Sequence, residues 1–330
     1  MVEGKLVSIL TPCYNGESYV ERFLNSILNQ TYKKIELIFV DDGSSDKTAD
    51  IVNTYKGRFK DKGMILFYIY QENKGLAGAI NTGLKYINGE YLTWPDSDDY
   101  LPPLSIEKKV EFLEGNLDFG FVRTNAIYVD SVNLNKVSRL AVLPKRFDSH
   151  LYDGFIQGTQ FYVCGCYMVR MSAFLDVNPN REIEFSFVGQ NIQMLLPISY
   201  SYKCGFIDED LYWYVNTPNS HSRVKRDYEK ALFHCNEYYR LLQSVSDTIM
   251  MTENERLKYF ELIRLKLHNA CLMLTITYSR RNEYVQLSLS GNADMVSVLR
   301  CNAMFYVAKL KCFFMNKLKN FIKIIVNLWQ

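Results

Sequence analysis

Residues 6–46 read LVSILTPCYNGESYVERFLNSILNQTYKKIELIFVDDGSSD, and two periodicities alternate within them. Leu6 to Thr11 is a continuous apolar run with β-branched residues, the pattern of a strand covered on both faces. Apolar residues at 19, 20, 23, 24, 27 and 28 then form one helical stripe, and Ile35 to Val40 returns to an apolar run. The alternation continues with a helix near 46–56, a strand near 64–70, a helix near 76–87 and a strand near 90–94. Strand and helix taking turns give βαβ units, and hence an α/β fold with a mostly parallel central sheet and helices on both faces. Such sheets bind ligands at the carboxyl ends of their strands, so chemistry is expected in the residues that follow each strand.

Those strand ends are polar. Thr11-Pro12-Cys13-Tyr14-Asn15-Gly16 follows the first strand, Asp41-Asp42-Gly43-Ser44-Ser45-Asp46 the second, and Asp96-Ser97-Asp98-Asp99 the fourth. Any one of them alone is explained by a turn or a helix cap. Three at equivalent ends of one sheet call for a common ligand. Carboxylates within four residues repel unless a cation or hydrogen-bond donors hold them, and hard oxygen ligands suit Mg²⁺ or Mn²⁺, which bind through one or two carboxylates plus substrate phosphates. No G-x-G-x-x-G follows the first strand and no P-loop occurs, which argues against a nicotinamide enzyme or a P-loop nucleotidase.

The ordered series Pro12-x-Tyr14-Asn15, Asp41-Asp42-Gly43-Ser44, Asn73-Lys74-Gly75 through Asn81-x-Gly83, and Asp96-x-Asp98-Asp99 resembles the motif series of family 2 glycosyltransferases with the GT-A fold. The match covers residues 5 to 105, with a weaker continuation to residue 223. The resemblance implies a nucleoside-diphosphate sugar donor, with UDP-sugars favoured. Pro12 and Tyr14 would flank the base, Asn15 would line the donor site, and Asp41 or Asp42 would accept the imide N–H. Gly75, Ala79 and Asn81 would lie close to the nucleotide. Asp96 and Ser97 would hold the ribose side. Asp98 would hold Mn²⁺ or Mg²⁺, with Asp96 and Asp99 as further metal candidates. The activity implied is an inverting, hexosyltransferase-type transfer to a saccharide or lipid-linked acceptor in cell-surface polysaccharide synthesis. The alternative is a catalytically weak or inactive sugar-nucleotide-binding paralogue.

One motif departs from the family. Where many relatives begin a helix with an acidic pair that includes the general base, this chain has Gly189-Gln190-Asn191-Ile192-Gln193, followed by a helical pattern from Met194 to Tyr202. Amides cannot take a proton at neutral pH. Either another carboxylate serves as base, with Glu182, Glu184, Asp153 and Asp208 as candidates, or Gln190 and Asn191 orient the acceptor while activation comes from elsewhere. Cys204 to Asp208 and Leu211 to Tyr214 read as a strand pair ending in Asn219-Ser220-His221-Ser222-Arg223, which resembles the family's closing loop. His221 would be a third metal ligand or phosphate donor, and Arg223 would face the diphosphate.

At 330 residues the chain holds one large domain and a smaller appendage. The expected division is a GT-A domain over 1–224, with 1–115 binding the nucleotide sugar and 116–224 on the acceptor side, and a helical region over 225–330. A net charge of +2 gives no global field of the kind nucleic-acid binding requires. Eight cysteines without a C-x-x-C are expected as reduced structural thiols. The opening apolar run is too short for a signal-peptide core or a membrane span, so the protein is expected in the cytoplasm. From Arg300 onward six basic residues and no acidic one accompany a helical stripe of Leu310, Phe314, Leu318, Phe321, Ile325 and Leu328. That profile fits peripheral contact of residues 309–330 with an anionic membrane face, or a terminal helix docked on the core or on a partner subunit.

Overall fold

The computed structural model describes residues 4–131, 133–139, 147–216, 226–289 and 302–314. The first strand β1 (Val7–Cys13) and the second, β2 (Ile35–Asp42), are buried almost throughout, as expected of apolar runs with helices on either side. Between them α1 (Val20–Leu28) buries Val20, Phe23, Leu24, Ile27 and Leu28. Then follow α2 (Thr48–Asp61), β3 (Ile65–Gln71), α3 (Gly75–Leu84) and β4 (Tyr91–Thr93). β3, β2, β1 and β4 run parallel in that spatial order. α3 packs closely because Gly83 has no side chain: a Cβ there would stand 2.0 Å from Leu10 Cδ1 of β1 and 3.1 Å from Val40 Cγ2 of β2.

Past α4 (Ser105–Gly115) the sheet becomes mixed. β5 (Phe119–Asp130), β6 (Lys136–Arg139) and β7 (Tyr167–Arg170) join antiparallel, with β7 inserted between β4 and β5. α5 (Tyr152–Gln157) and a short 3₁₀ turn (Cys164–Cys166) precede β7, and α6 (Met171–Val177) and α7 (Gln190–Ser201) follow it. The expected strand pair at 204–214 is instead one strand, β8 (Lys203–Asn216), parallel to β5 with shifts of register around Asn125. The acidic run Asp208-Glu209-Asp210 is carried inside the strand. Arg139 on β6 balances part of its charge: its guanidinium lies 2.8 Å from Asp208 Oδ1 and 2.6 Å from Asp210 Oδ1. β8 also brings Tyr212 and Val215 to the end of β4, and this crossing builds the site.

Three helices complete the described chain with α8 (Tyr228–Asp247), α9 (Glu253–Thr277) and α10 (Arg281–Leu289), and residues 302–314 are helical. The described residues fall into two compact units. One is drawn from Met1–Val224 and Leu241–Arg256, the other from Lys225–Arg240 and Leu257–Gln330. The stretch 241–256, expected with the helical region, therefore packs with the first unit; Tyr152 donates to Ser246 Oγ at 2.9 Å and Ser244 to Glu184 Oε2 at 2.8 Å. In the second unit Ile276, Tyr284 and Phe305 form a core joined by Leu272, Ala308 and Cys312.

Candidate active site

The loops after β1 and β2 are zipped together by polar groups. Asn15 sits in the left-handed region at φ 51°, its N–H donating to Ser44 Oγ and its Oδ1 accepting from Ser45 N–H. Gly16 N–H donates to Thr48 Oγ1 and Glu17 N–H to Asp46 Oδ2. Asn15 is thus a loop lock, and its amide oxygen is already engaged where a donor contact was expected. Gly43 is required here: its φ is 82°, and a Cβ would stand 2.8 Å from Asn73 N. Tyr14 stands 49% exposed on the rim, where its ring face is free to stack, while Pro12 is paired within β1 opposite Val40.

The two aspartates ending β2 differ. Asp41 is fully buried and uses both oxygens, Oδ1 for Ser44 N–H and Oδ2 for the Tyr68 hydroxyl. Asp42 gathers Gln71 Nε2 and Lys74 N–H on Oδ1, and its Oδ2 has no hydrogen bond among the described residues. Of the pair, Asp42 keeps an acceptor. Beyond it, α3 opens at Gly75 with φ 73° and empty space where a Cβ would be. Ala79 is fully buried in that helix, so its side chain is closed to a ligand. Asn81 is likewise withdrawn: its Nδ2 donates to Ile183 O and its Oδ1 accepts Ile183 N–H, both at 2.8 Å, which buttons the 178–188 loop onto α3.

The acid cluster follows β4. Asp96, Asp98 and Asp99 bring one carboxylate oxygen each within 4.8 Å of one another, the only such group among the described residues. Burial and the charge of Asp98 raise Asp96 to about 6, and burial with both neighbours raises Asp99 well above the usual carboxylate range. Three carboxylates held this close form a set of hard oxygen donors, and such a set fits Mg²⁺ or Mn²⁺. Asp99 is 1% exposed, its Oδ1 accepting Val215 N–H at 2.8 Å and its Oδ2 the Tyr212 hydroxyl. It is a clamp for β8, and Asp96 and Asp98 are left as the presenting pair. Ser97 is also turned inward and buried. Arg22 of α1 donates to the main-chain oxygen of Asp98 at 2.5 Å and lies near the carboxylates of Asp98 and Asp99.

On the acceptor side, α7 begins at Gln190, earlier than the sequence pattern suggested, after Gly189 at φ 71°. Gln190 Nε2 caps back to Ser186 O at 2.7 Å. Asn191 Oδ1 accepts the indole N–H of Trp94, two residues before Asp96, at 3.1 Å. The four carboxylates considered as base are dispersed. Asp208 is paired with Arg139, Glu184 accepts from Ser244, Asp153 is exposed on α5, and Glu182 is exposed on the loop that Asn81 buttons. His221 and Arg223 lie outside the described residues. The sequence reading missed Arg22, Cys164 and Tyr212, which carry no motif and reach the cluster only through the fold.

Residues 8–177 match the family described as glycosyl transferase family 2. The chain belongs to that family. Among curated members, an uncharacterised glycosyltransferase of Haemophilus influenzae is 37% identical over 175 residues, 53% of this chain and 66% of that protein. The uncharacterised glycosyltransferase EpsJ of Bacillus subtilis is 30% identical over 227 residues, 66% of this chain and 63% of its own length. An uncharacterised glycosyltransferase of Rickettsia typhi is 44% identical over 108 residues, 33% of this chain and 32% of that protein. The chain therefore spans between a third and two thirds of the length of these curated relatives. Among solved structures, S. aureus TarS 1–349 in complex with UDP-GlcNAc aligns at TM-score 0.61 and 19% identity, over 91% of this chain and 80% of that one. The mannosyltransferase PcManGT from Pyrobaculum calidifontis, in complex with GDP-Man and Mn²⁺, aligns at TM-score 0.58 and 16% identity, over 94% of this chain and 84% of that one. Likeness at this identity establishes the shared fold, the GT-A arrangement of a family 2 glycosyltransferase.

Proposed function

We propose that this family 2 member is an inverting glycosyltransferase that moves a sugar from a UDP-sugar to a hydroxyl of a saccharide or lipid-linked acceptor in cell-surface polysaccharide synthesis. The observation that carries the reading is the acid cluster at the end of β4, set beside the open acceptor oxygen of Asp42 and the exposed ring of Tyr14. Tyr14 offers a stacking face to the base, and Asp42 Oδ2 suits an imide N–H. Asp98 and Asp96 would hold Mn²⁺ or Mg²⁺. A cation there supplies Lewis-acid neutralisation of the departing diphosphate. Binding of UDP-GlcNAc by TarS and of GDP-Man with Mn²⁺ by PcManGT supports a nucleotide-sugar donor for this fold.

Inversion requires a base for the acceptor hydroxyl, and Gln190 and Asn191 cannot serve. Their amides orient the acceptor, while one of Glu182, Glu184, Asp153 and Asp208 serves as the base. The amide pair is also the observation that favours a second reading, an inactive sugar-nucleotide-binding paralogue. Thermal shift with UDP, UDP-GlcNAc, GDP-mannose and NAD, each with and without Mn²⁺, tests the donor site, and a screen for UDP-sugar hydrolysis tests turnover. Mn²⁺-dependent stabilisation by UDP with no hydrolysis of any sugar would select the second reading. Stabilisation by NAD alone would overturn both.

We also propose peripheral contact with an anionic membrane through residues 309–330, of which 315–330 lie outside the described residues. Among the described residues no helix is long and apolar enough to cross a membrane. Residues 302–314 support surface contact instead: Phe305 is buried, while Met304, Val307, Leu310 and Phe314 are exposed along another face.

A further inference from the structure

Three carboxylates in four residues repel one another, so their orientation must be imposed from outside the loop. Two side chains distant in sequence do this for Asp96. The Cys164 thiol donates to Asp96 Oδ2 at 3.1 Å, across 68 residues, and the Asp96 N–H donates to the Tyr212 hydroxyl at 3.3 Å, across 116. The same hydroxyl gives its proton to Asp99 Oδ2, and its oxygen lies 3.9 Å from Cys164 Sγ. One phenol oxygen thus links the main chain of Asp96 to the side chain of Asp99. With Asp96 Oδ2 engaged by the thiol, Oδ1 is the oxygen left to face a ligand.

The supports are themselves fixed. Tyr212 is fully buried, and its ring occupies the space above Gly165, where a Cβ would stand 1.9 Å from Tyr212 Cε2. The carbonyl of Gly165 accepts the ammonium of Lys109 at 2.7 Å, and Lys109 also donates to Ser105 Oγ within its own helix. A buried lysine from α4 therefore holds the turn that carries Cys164 and makes room for Tyr212. None of these residues belongs to the acidic motif.

We infer that Tyr212 and Cys164 are positioning residues of the cation site: their hydrogen bonds set Asp96 in place before the ion arrives, so that Asp96 and Asp98 meet it as a prearranged pair. This rests on the metal reading given above. Outer partners of metal ligands commonly contribute about 10- to 100-fold in metal affinity. Loss of the Tyr212 hydroxyl or of the Cys164 donor is expected to weaken Mn²⁺ binding within that range.

The test is direct titration of the full chain with Mn²⁺ alone, following free Mn²⁺ by electron paramagnetic resonance, with thermal unfolding as a check of the fold. Tyr212→Phe and Cys164→Ala should each bind at least about tenfold more weakly, the lower end of that range, whereas Cys164→Ser, which keeps a donor, should stay close to the unmodified protein. Where transfer is measured, the loss should fall on the Mn²⁺ concentration needed for half-maximal rate, with kcat at saturating Mn²⁺ largely kept. Unchanged Mn²⁺ binding in Tyr212→Phe and Cys164→Ala overturns the inference while leaving the metal reading intact. Equal weakness of the serine and alanine variants reduces Cys164 to a packing role and overturns its share. If Tyr212→Phe does not fold, the Cys164 pair decides. An unmodified protein that binds no Mn²⁺ overturns the metal reading and this inference with it.

Discussion

The indole N–H of Trp94 donates to Asn191 Oδ1 across 3.1 Å, and since an indole only donates, the amide oxygen of Asn191 faces Trp94 and its NH₂ is turned away. A residue at the start of α7 is thereby tied to the residue that leads into the acid cluster, with a donor and not a base on its free side. Asn191→Ala should lower transfer without changing the shape of the pH profile. Removing the true base should lower it by about 10²- to 10⁴-fold. Alanine at Glu182, Glu184, Asp153 and Asp208 in turn, assayed as rate against pH, locates that base, with one of the four expected to give the large loss. If all four variants keep their rates and Asn191→Asp or Gln190→Glu raises transfer strongly, the inactive-paralogue reading replaces the catalytic one.

Asp98 and Asp99 are neighbours with different work, and amide substitutions should separate them. Asp98 presents its side chain at the cluster, so Asp98→Asn should abolish the Mn²⁺ dependence of UDP binding and stop transfer while leaving the unfolding temperature nearly unchanged. Asp99 receives Tyr212 and Val215, and an amide in its place must point an NH₂ at one of those donors. Leaving a buried donor unsatisfied costs about 1–3 kcal/mol, so Asp99→Asn should be visibly destabilised in urea unfolding. Full stability in Asp99→Asn, or normal turnover in Asp98→Asn, contradicts the division of labour.

How the sequence was readable follows from where each residue finds its partners. The parallel half was legible because β1 and β2 bury continuous apolar runs and α1 carries one clear stripe. β5 was not, because Arg123, Thr124 and Asn125 interrupt its middle. All three are fully buried, and Arg123 reaches Gln160 Oε1 at 2.6 Å, a partner 37 residues away that no local pattern announces. The site divides in the same way. Asp96 and Asp98 stand in a motif whose spacing is local, whereas Asn15 and Asn81 look like ligand contacts until their amides are found locking one loop to the next. Cys164 and Tyr212 had no signal at all, since a thiol and a phenol acquire meaning only when the chain brings them against Asp96.

Lys109 gives a prediction in pH. Burial lowers its ammonium from 10.5 to about 8, so below that value the folded protein carries a charge it holds at a disadvantage. Between about pH 8 and 10 the unfolded chain keeps a proton at this lysine that the folded chain has released, so stability from this group rises with pH, by at most about 3 kcal/mol. Buried tyrosines and thiols titrate upward and oppose the trend, but they are common to wild type and variant. The difference in urea midpoint between the wild type and Lys109→Met should therefore move in favour of the wild type from pH 7.5 to 10. Parallel profiles would show that the lysine stays charged, held by Gly165 O.

Residues 302–314 form a helix with two distinct faces. Phe305, Ala308 and Cys312 face the core with Ile276 and Tyr284, which fixes this helix by one side. Met304, Val307, Leu310 and Phe314 recur at helical spacing on another side and are exposed, with Phe313 beside them. Lys309 and Lys311 lie along the same stretch, and the sequence continues with Lys317, Lys319 and Lys323 and no acidic residue. Each lysine near an anionic leaflet contributes about 1 kcal/mol, an attraction that decays within roughly 8 Å at physiological salt. Lys309 and Lys311 beside the exposed apolar face, with three more lysines following in the sequence, should give binding to phosphatidylglycerol vesicles that added salt weakens but does not remove, with little binding to phosphatidylcholine. Because the exposed face is separate from the core contact, Leu310→Ser with Phe313→Ser and Phe314→Ser should release the protein from vesicles and leave its unfolding temperature unchanged. If the triple variant binds as before, the membrane assignment fails. If it instead elutes at a smaller size than the unmodified protein, the face joins two copies of the chain.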